Sequence, residues 1–218
     1  MVSWTVLQLA DSAFPTGGFV HSGGLEAMIH AGLVPDRAAL RQFCEETIGA
    51  AVASALPFVG AGWDAPDPAA LAVIDATASQ TLWSHVAARA SRAQGWALLD
   101  TAARAFETPA LVALRAARGA HHLAPMFGFV TRALDVSRDE ALATALHLTV
   151  RGVLSAAVRL GVVGPSEAQG LHHALGGALE AGLARARTQG PSDVAQTAPL
   201  LELVQATQDE LYSRLFQS

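Results

Sequence analysis

Ser137-Arg-Asp-Glu140-Ala-Leu-Ala-Thr-Ala-Leu-His-Leu-Thr-Val-Arg-Gly-Val-Leu-Ser-Ala-Ala-Val-Arg-Leu160 decides the fold class. It opens on Ser-x-x-Glu, a capping box in which the hydroxyl and the carboxylate satisfy the first free N–H groups of a helix. Gly161 and then Pro165 follow its end, the usual stop punctuation. Between these signals the apolar residues recur at helical rather than alternating spacing, which predicts a helix over 138–161.

Working outward, the same pattern covers nearly all of the chain beyond the first twenty residues. Ala, the strongest intrinsic helix former, makes up roughly a fifth of the sequence, and β-branched runs are missing. Thr108-Pro109, Asp36 after Pro35, and Ser166 after Gly164-Pro165 read as further starts, while Gly32 and Gly190 read as stops. The expected helices lie near 4–10, 22–33, 37–56, 67–77, 79–105, 109–117, 124–134, 138–161, 166–188 and 194–216. The expectation is an all-α, single-domain bundle of about eight to ten helices spanning 1–218. Residues 1–24 form a glycine-turn segment in this reading, and 194–218 a helix that docks a partner. The Ala content predicts close helix packing rather than a cofactor-sized cavity.

The chain has 218 residues, 51% hydrophobic and only 15% charged, with net charge −5 and mean hydropathy +0.32. Such a composition excludes disorder. It also leaves little polar material for a surface, which suggests that part of the surface is meant for partners. All fourteen basic residues are Arg and none are clustered, so neither nucleic acid nor a membrane surface is an expected partner. The absence of Lys excludes Schiff-base chemistry and a phosphate-binding P-loop in this chain. The longest uncharged run, Thr47 to Trp63, is interrupted by Pro57 and is short for a spanning helix. The opening MVSWTVLQLAD lacks a cationic region, so a cytoplasmic location is expected.

Chemistry is sparse. The pairs His121-His122 and His172-His173 are adjacent, and adjacent helical residues point about 100° apart, so neither pair chelates by itself. Cys44 sits beside Glu45 and Glu46, which disfavour a thiolate, and reads as a packing residue. Gly60-Ala-Gly62 imitates part of a dinucleotide fingerprint without the preceding strand. No catalytic, cofactor-binding or metal-binding residue is expected.

One segment breaks the helical rules: Pro15-Thr-Gly17-Gly18-Phe19-Val-His21-Ser22-Gly23-Gly24-Leu-Glu26. Gly17-Gly18 permit a positive-φ turn, Ser22 can cap the helix that follows, and Gly23-Gly24 are costly if helical, by about 1 kcal/mol each. A simple packing elbow is one reading, and close approach of another surface the other.

With Ala90-Ser-Arg-Ala-Gln-Gly-Trp-Ala-Leu-Leu99, His122-Leu-Ala-Pro-Met-Phe-Gly128, Arg151-Gly-Val-Leu-Ser-Ala-Ala-Val-Arg-Leu160 and Ser213-Arg-Leu-Phe-Gln-Ser218, this segment resembles the UreF family of urease accessory proteins. The motifs span essentially the whole chain. Val20 and His21 depart from the residues most frequent in the family. The resemblance implies a non-enzymatic assembly factor that dimerises, binds the accessory protein UreD (also called UreH) and recruits the GTPase UreG to apo-urease for nickel insertion. It also implies that the glycine turn and the C-terminal Arg-x-Phe form interaction surfaces.

Gly17, Gly18, His21, Ser22, Glu26, Arg214 and Phe216 are therefore the candidate partner-binding residues. Each charged one has a bland alternative: Glu26 can favour a helix N-terminus, and Arg214 can pair with Glu210 four residues earlier. Two other functions remain open at this point. Arg214 could act as an arginine finger that modulates the GTPase, or surface histidines could bind nickel.

Overall fold

A computed structural model describes residues 3–117, 119 and 121–218; Met1 and Val2 of the expected N-terminal segment lie outside the described residues. Among those described, every regular element is helical. In chain order the α-helices are α1 Trp4–Leu9, α2 Leu25–His30, α3 Arg37–Ala50, α4 Leu56–Asp64, α5 Pro68–Thr81, α6 His85–Ala105, α7 Pro109–Ala116, α8 Leu123–Ala133, α9 Arg138–Arg159, α10 Pro165–Ala174, α11 Gly176–Ala186 and α12 Pro199–Ala206. The all-α expectation holds. One continuous core runs from Leu9 to Phe216.

The start and stop chemistry explains most boundaries. Ser137 Oγ accepts the Glu140 N–H at 3.3 Å while Glu140 Oε2 accepts the Ser137 N–H at 3.2 Å, completing the capping box of α9. Asp36 Oδ1 accepts the Ala39 N–H at 2.9 Å and starts α3. Gly32 and Gly161 both have positive φ, +72° and +74°. Beyond each, the next N–H reaches back to close the last turn, Leu33 to Met28 O and Val162 to Ala157 O. Two start signals differ from expectation. The Thr108 hydroxyl is buried without a partner and caps nothing. At α10 the N-cap is Gly164 rather than Ser166, with Glu167 Oε2 accepting the Gly164 N–H.

Several expected spans are also corrected. The helix expected over 37–56 does not stop at Pro57; it passes through one π turn, Ala51–Ala55, and continues as α4. Pro57 has no N–H to give to the carbonyl four residues back, that of Ala53. That oxygen instead accepts the Ala195 N–H at 3.1 Å, from the segment that follows α11. The chain therefore tolerates a mid-helix proline because a distant backbone group completes the ladder. The span expected over 166–188 is two helices that meet at Leu175. The C-terminal helix expected over 194–216 is only α12, followed by a 3₁₀ turn, Thr207–Glu210, and an irregular tail.

Close packing follows the small residues. α4 packs most extensively on α8, and a Cβ added at Gly62 would lie 2.1 Å from Pro125 O. One added at Gly128 would lie 2.0 Å from Val59 O. Glycine on both helices lets the backbones touch, so Gly62 marks a helix crossing and not a nucleotide site. α6 meets the start of α8 in the same way, because a Cβ on Gly95 would lie 2.2 Å from His121 O. The free N–H groups at that start are filled from outside: Asp75 of α5 accepts from His122 at 2.6 Å and Ser91 of α6 from Leu123 at 3.1 Å.

α9 is long and apolar enough to span a membrane by length and composition alone. It also packs on α3, α4, α8, α10 and α11, and it buries Leu142, Leu146, Val150, Val153 and Leu154. It is the central helix of the bundle.

Candidate partner-binding surface

The glycine-rich turn and the C-terminal tail, distant in sequence, fold into one surface. Gly17, with φ +73°, turns the chain into the 3₁₀ segment Gly18–Val20. Gly23 and Gly24 lie ahead of α2 rather than inside it, at φ +64° and +88°. Both adopt a conformation that other residues resist. A Cβ on Gly24 would approach Leu201 Cδ1 to 3.0 Å and Gln205 Cβ to 3.2 Å, so this glycine also admits α12. The glycines that looked expensive inside a helix are thus required by the turn that precedes it.

Glu26 is the organiser. It sits in the first turn of α2 and is 2% exposed. Its Oε1 accepts the Leu215 N–H at 2.6 Å; its Oε2 accepts the Phe216 N–H at 3.1 Å and Gln208 Nε2 at 2.6 Å. Glu26, expected among the partner-binding residues, turns its carboxylate inward and folds the tail.

The neighbouring residues extend the seam. Ser22 Oγ donates to Ser218 O at 2.8 Å and accepts the Glu26 N–H at 3.3 Å. His21 Nδ1 lies 2.7 Å from Ser218 Oγ, and the Gln217 N–H donates to Val20 O at 2.8 Å. Burial, with Arg89 nearby, pushes the His21 imidazole below its ordinary value, so the ring is neutral at neutral pH. Phe216 is buried as well. The Arg159 guanidinium lies 3.8 Å from the ring centre of Phe19 and 4.3 Å from that of Phe216. It also donates to Phe19 O, joining turn, tail and α9.

Arg214 remains at the surface, paired with Asp209 at 2.6 Å rather than with Glu210. Arg89 of α6 grips the same carboxylate through two bonds of 2.8 and 2.9 Å, and His85 Nε2 is 3.4 Å away. The hydrogen bond from Arg89, then that from Arg214, holds the Asp209 carboxyl well below the usual carboxylate range.

Of the seven candidate residues, Gly17, Gly18 and His21 build the turn. Ser22, Glu26 and Phe216 are buried supports of the tail, and Arg214 is the exposed charge. Phe19, Tyr212 and Leu215 project outward beside them at 68%, 106% and 54% exposure. Arg89, Arg159, Gln208 and Asp209 were not singled out from the sequence. Arg159 was the most legible of these, since it lies inside the Arg151–Leu160 motif; nothing local marks Gln208 or Asp209.

Among the described residues no group of three His, Cys, Asp or Glu side chains could hold a metal ion. Burial, helped by Glu45, pushes the Cys44 thiol up to about 12, as suits a packing residue.

Residues 34–176 match the family model described as UreF. The chain belongs to the UreF family. It is 37% identical to urease accessory protein F of Arabidopsis thaliana over 223 aligned positions, covering 100% of this chain and 93% of that protein. Urease accessory protein F of Oryza sativa subsp. indica is 34% identical, with 98% and 84% covered. A bacterial relative, UreF of Arthrobacter sp. (strain FB24), is 31% identical, with 97% and 95% covered. UreF membership assigns the chain a role in urease maturation. The UreF match leaves out the glycine turn and the tail, whereas the alignment to the Arabidopsis UreF spans the whole chain.

Proposed function

We propose that this protein is a non-catalytic scaffold of nickel insertion, binding UreD/UreH and recruiting UreG to apo-urease as a cytoplasmic homodimer. The observation that carries the reading is the composite surface itself. A buried carboxylate, Glu26, is spent on holding the backbone of residues 215 and 216. The folded tail in turn presents Arg214, Tyr212 and Leu215 next to Phe19. Exposed aromatic and Arg side chains around a rigid support have the composition of a protein-binding hot spot.

Co-expression with a UreD and a UreG, followed by sizing of the complex, tests the reading. The expected result is a complex containing all three chains, which Glu26→Ala weakens without loss of helical content. Failure of the unaltered protein to bind either partner would overturn it.

The arginine-finger alternative is disfavoured by one observation, since Arg214 would first have to leave Asp209. Arg214→Ala is expected to reduce recruitment of UreG while leaving GTP turnover within the assembled complex unchanged. A drop in turnover at full occupancy would favour the alternative.

A further inference from the structure

Away from the composite surface, His121 and His122 are buried side by side at the start of α8, 8% and 1% exposed. Both ring nitrogens of His122, and Nδ1 of His121, are inaccessible and have no hydrogen-bond partner among the described residues. Buried imidazole nitrogens are ordinarily paired, because a polar atom taken out of water without a substitute costs free energy. The carboxylate at this junction, that of Asp75 in α5, serves the backbone instead. Its Oδ1 accepts the His122 N–H at 2.6 Å, and its Oδ2 stops 3.9 Å from His121 Nδ1.

Peptide groups hold the rings in this position. Ser91 Oγ of α6 accepts the Leu123 N–H at 3.1 Å, and Gly95 admits the His121 carbonyl against α6. Two helices thus grip the turn by its main chain and leave its side chains unsatisfied. Proton binding acts on this imbalance in one direction. The closed turn disfavours a charged His122: burial lowers the imidazole, Arg92 of α6 and His121 add to the effect, and Asp75 opposes it. Charges on the other helices packed against α8 have partners elsewhere. Asp64 of α4 meets Arg138 and Arg115 of α7 meets Asp100, while on α9 His147 stacks on His172 and Arg151 donates to Ala10 O. An open turn hydrates both rings and lets them take up protons.

We propose that the turn at His121–Leu123 is an acid-released latch, closed over α5 and α6 while its two buried imidazoles are neutral and opened when they are protonated. Opening withdraws the first turn of α8 from Asp75 and Ser91 and uncovers the face of α6 around Gly95. It is local, because the rest of α8 stays packed on α4 through the backbone approaches at Gly62 and Gly128.

The test is residue-resolved amide hydrogen exchange of the full chain at pH 7 and pH 5, corrected for the intrinsic dependence of exchange on pH. The amides of His122 and Leu123 should open roughly tenfold or more in excess at pH 5, while those of Phe129, Val130 and Thr131 farther along α8 change little. His122→Phe, or His122→Gln should the larger ring not be accommodated, carries no proton at either pH and should remove most of the acid response. His173→Ala, at an exposed histidine of α10, should keep it. The proposal is overturned by an opening of the turn that does not change with pH, by equal acceleration along the whole of α8, or by an acid response that survives both His122 substitutions undiminished.

Discussion

Glu26 joins α2 to the tail through three bonds. Replacing it by Ala removes the acceptor from three donors at once and leaves the N–H groups of Leu215 and Phe216 facing an apolar seam. The expected outcome is a loss of about 2–4 kcal/mol of stability in the tail region. Amide hydrogen exchange at residues 211–218 should accelerate by more than tenfold while α8 and α9 keep their protection. Equal acceleration throughout the bundle would contradict a local role. Histidines supply the pH dependence. Burial lowers the His122 imidazole from its ordinary value of 6.5, with Arg92 and His121 adding to the shift and Asp75 opposing it. The folded chain thus binds fewer protons than the unfolded one below that value. Its contribution is complete above pH 6.5 and is lost as pH falls through the lowered folded value. His21 acts with the same sign. Urea midpoints should fall between pH 7 and pH 5, and His122→Asn should flatten that slope.

At the scale of elements, glycines in two environments give opposite predictions. Gly128→Ala drives a methyl group into the backbone of α4, where nothing flexible can yield, and should destabilise by about 1–3 kcal/mol or more. Gly152→Ala, inside α9 with no atom within 4 Å of the added carbon, should stabilise by about 0.5–1 kcal/mol. Chemical denaturation of the two variants distinguishes crowding from helix propensity. The same elements show what was legible in sequence. The start and stop of α9 follow from Ser137, Glu140 and Gly161, because their signals are local. The end of α3 was misread at Pro57, because the group that rescues the proline belongs to Ala195. The tail was misread for the same reason: the stripe Leu200, Leu201, Val204, Leu211 and Leu215 has helical spacing, yet Glu26 competes for the N–H groups of 215 and 216 and wins. Glu26 and Phe216 are buried and bonded across 190 positions, a pairing that no local signal announces.

For the molecule as a whole, exposed large apolar side chains are spread over many elements, Trp4 and Trp83 at 80% and 78% among them, and include Phe19, Tyr212 and Leu215 of the composite surface. The last three, beside Arg214, suit a subunit that works inside an assembly. Removing residues 212–218 should leave a folded bundle that no longer captures UreD or UreG in a pull-down, whereas Trp83→Ser should fold and bind normally. Retained capture by the truncated chain would separate the tail from the assembly surface.

The bond from Ala195 to Ala53 sets an order on the making of the protein. A chain leaving the ribosome completes the segment from Arg37 to Asp64 early, with one carbonyl in its middle still unanswered. Its answer arrives only when residue 195 emerges, and the ligands of Glu26 arrive later still. Two details of the first third of the chain, the Ala53 carbonyl and the Glu26 carboxylate, thus depend on residues of the final third. A fragment ending before residue 195 would lack the N–H that answers the Ala53 carbonyl and the whole segment that covers and binds Glu26.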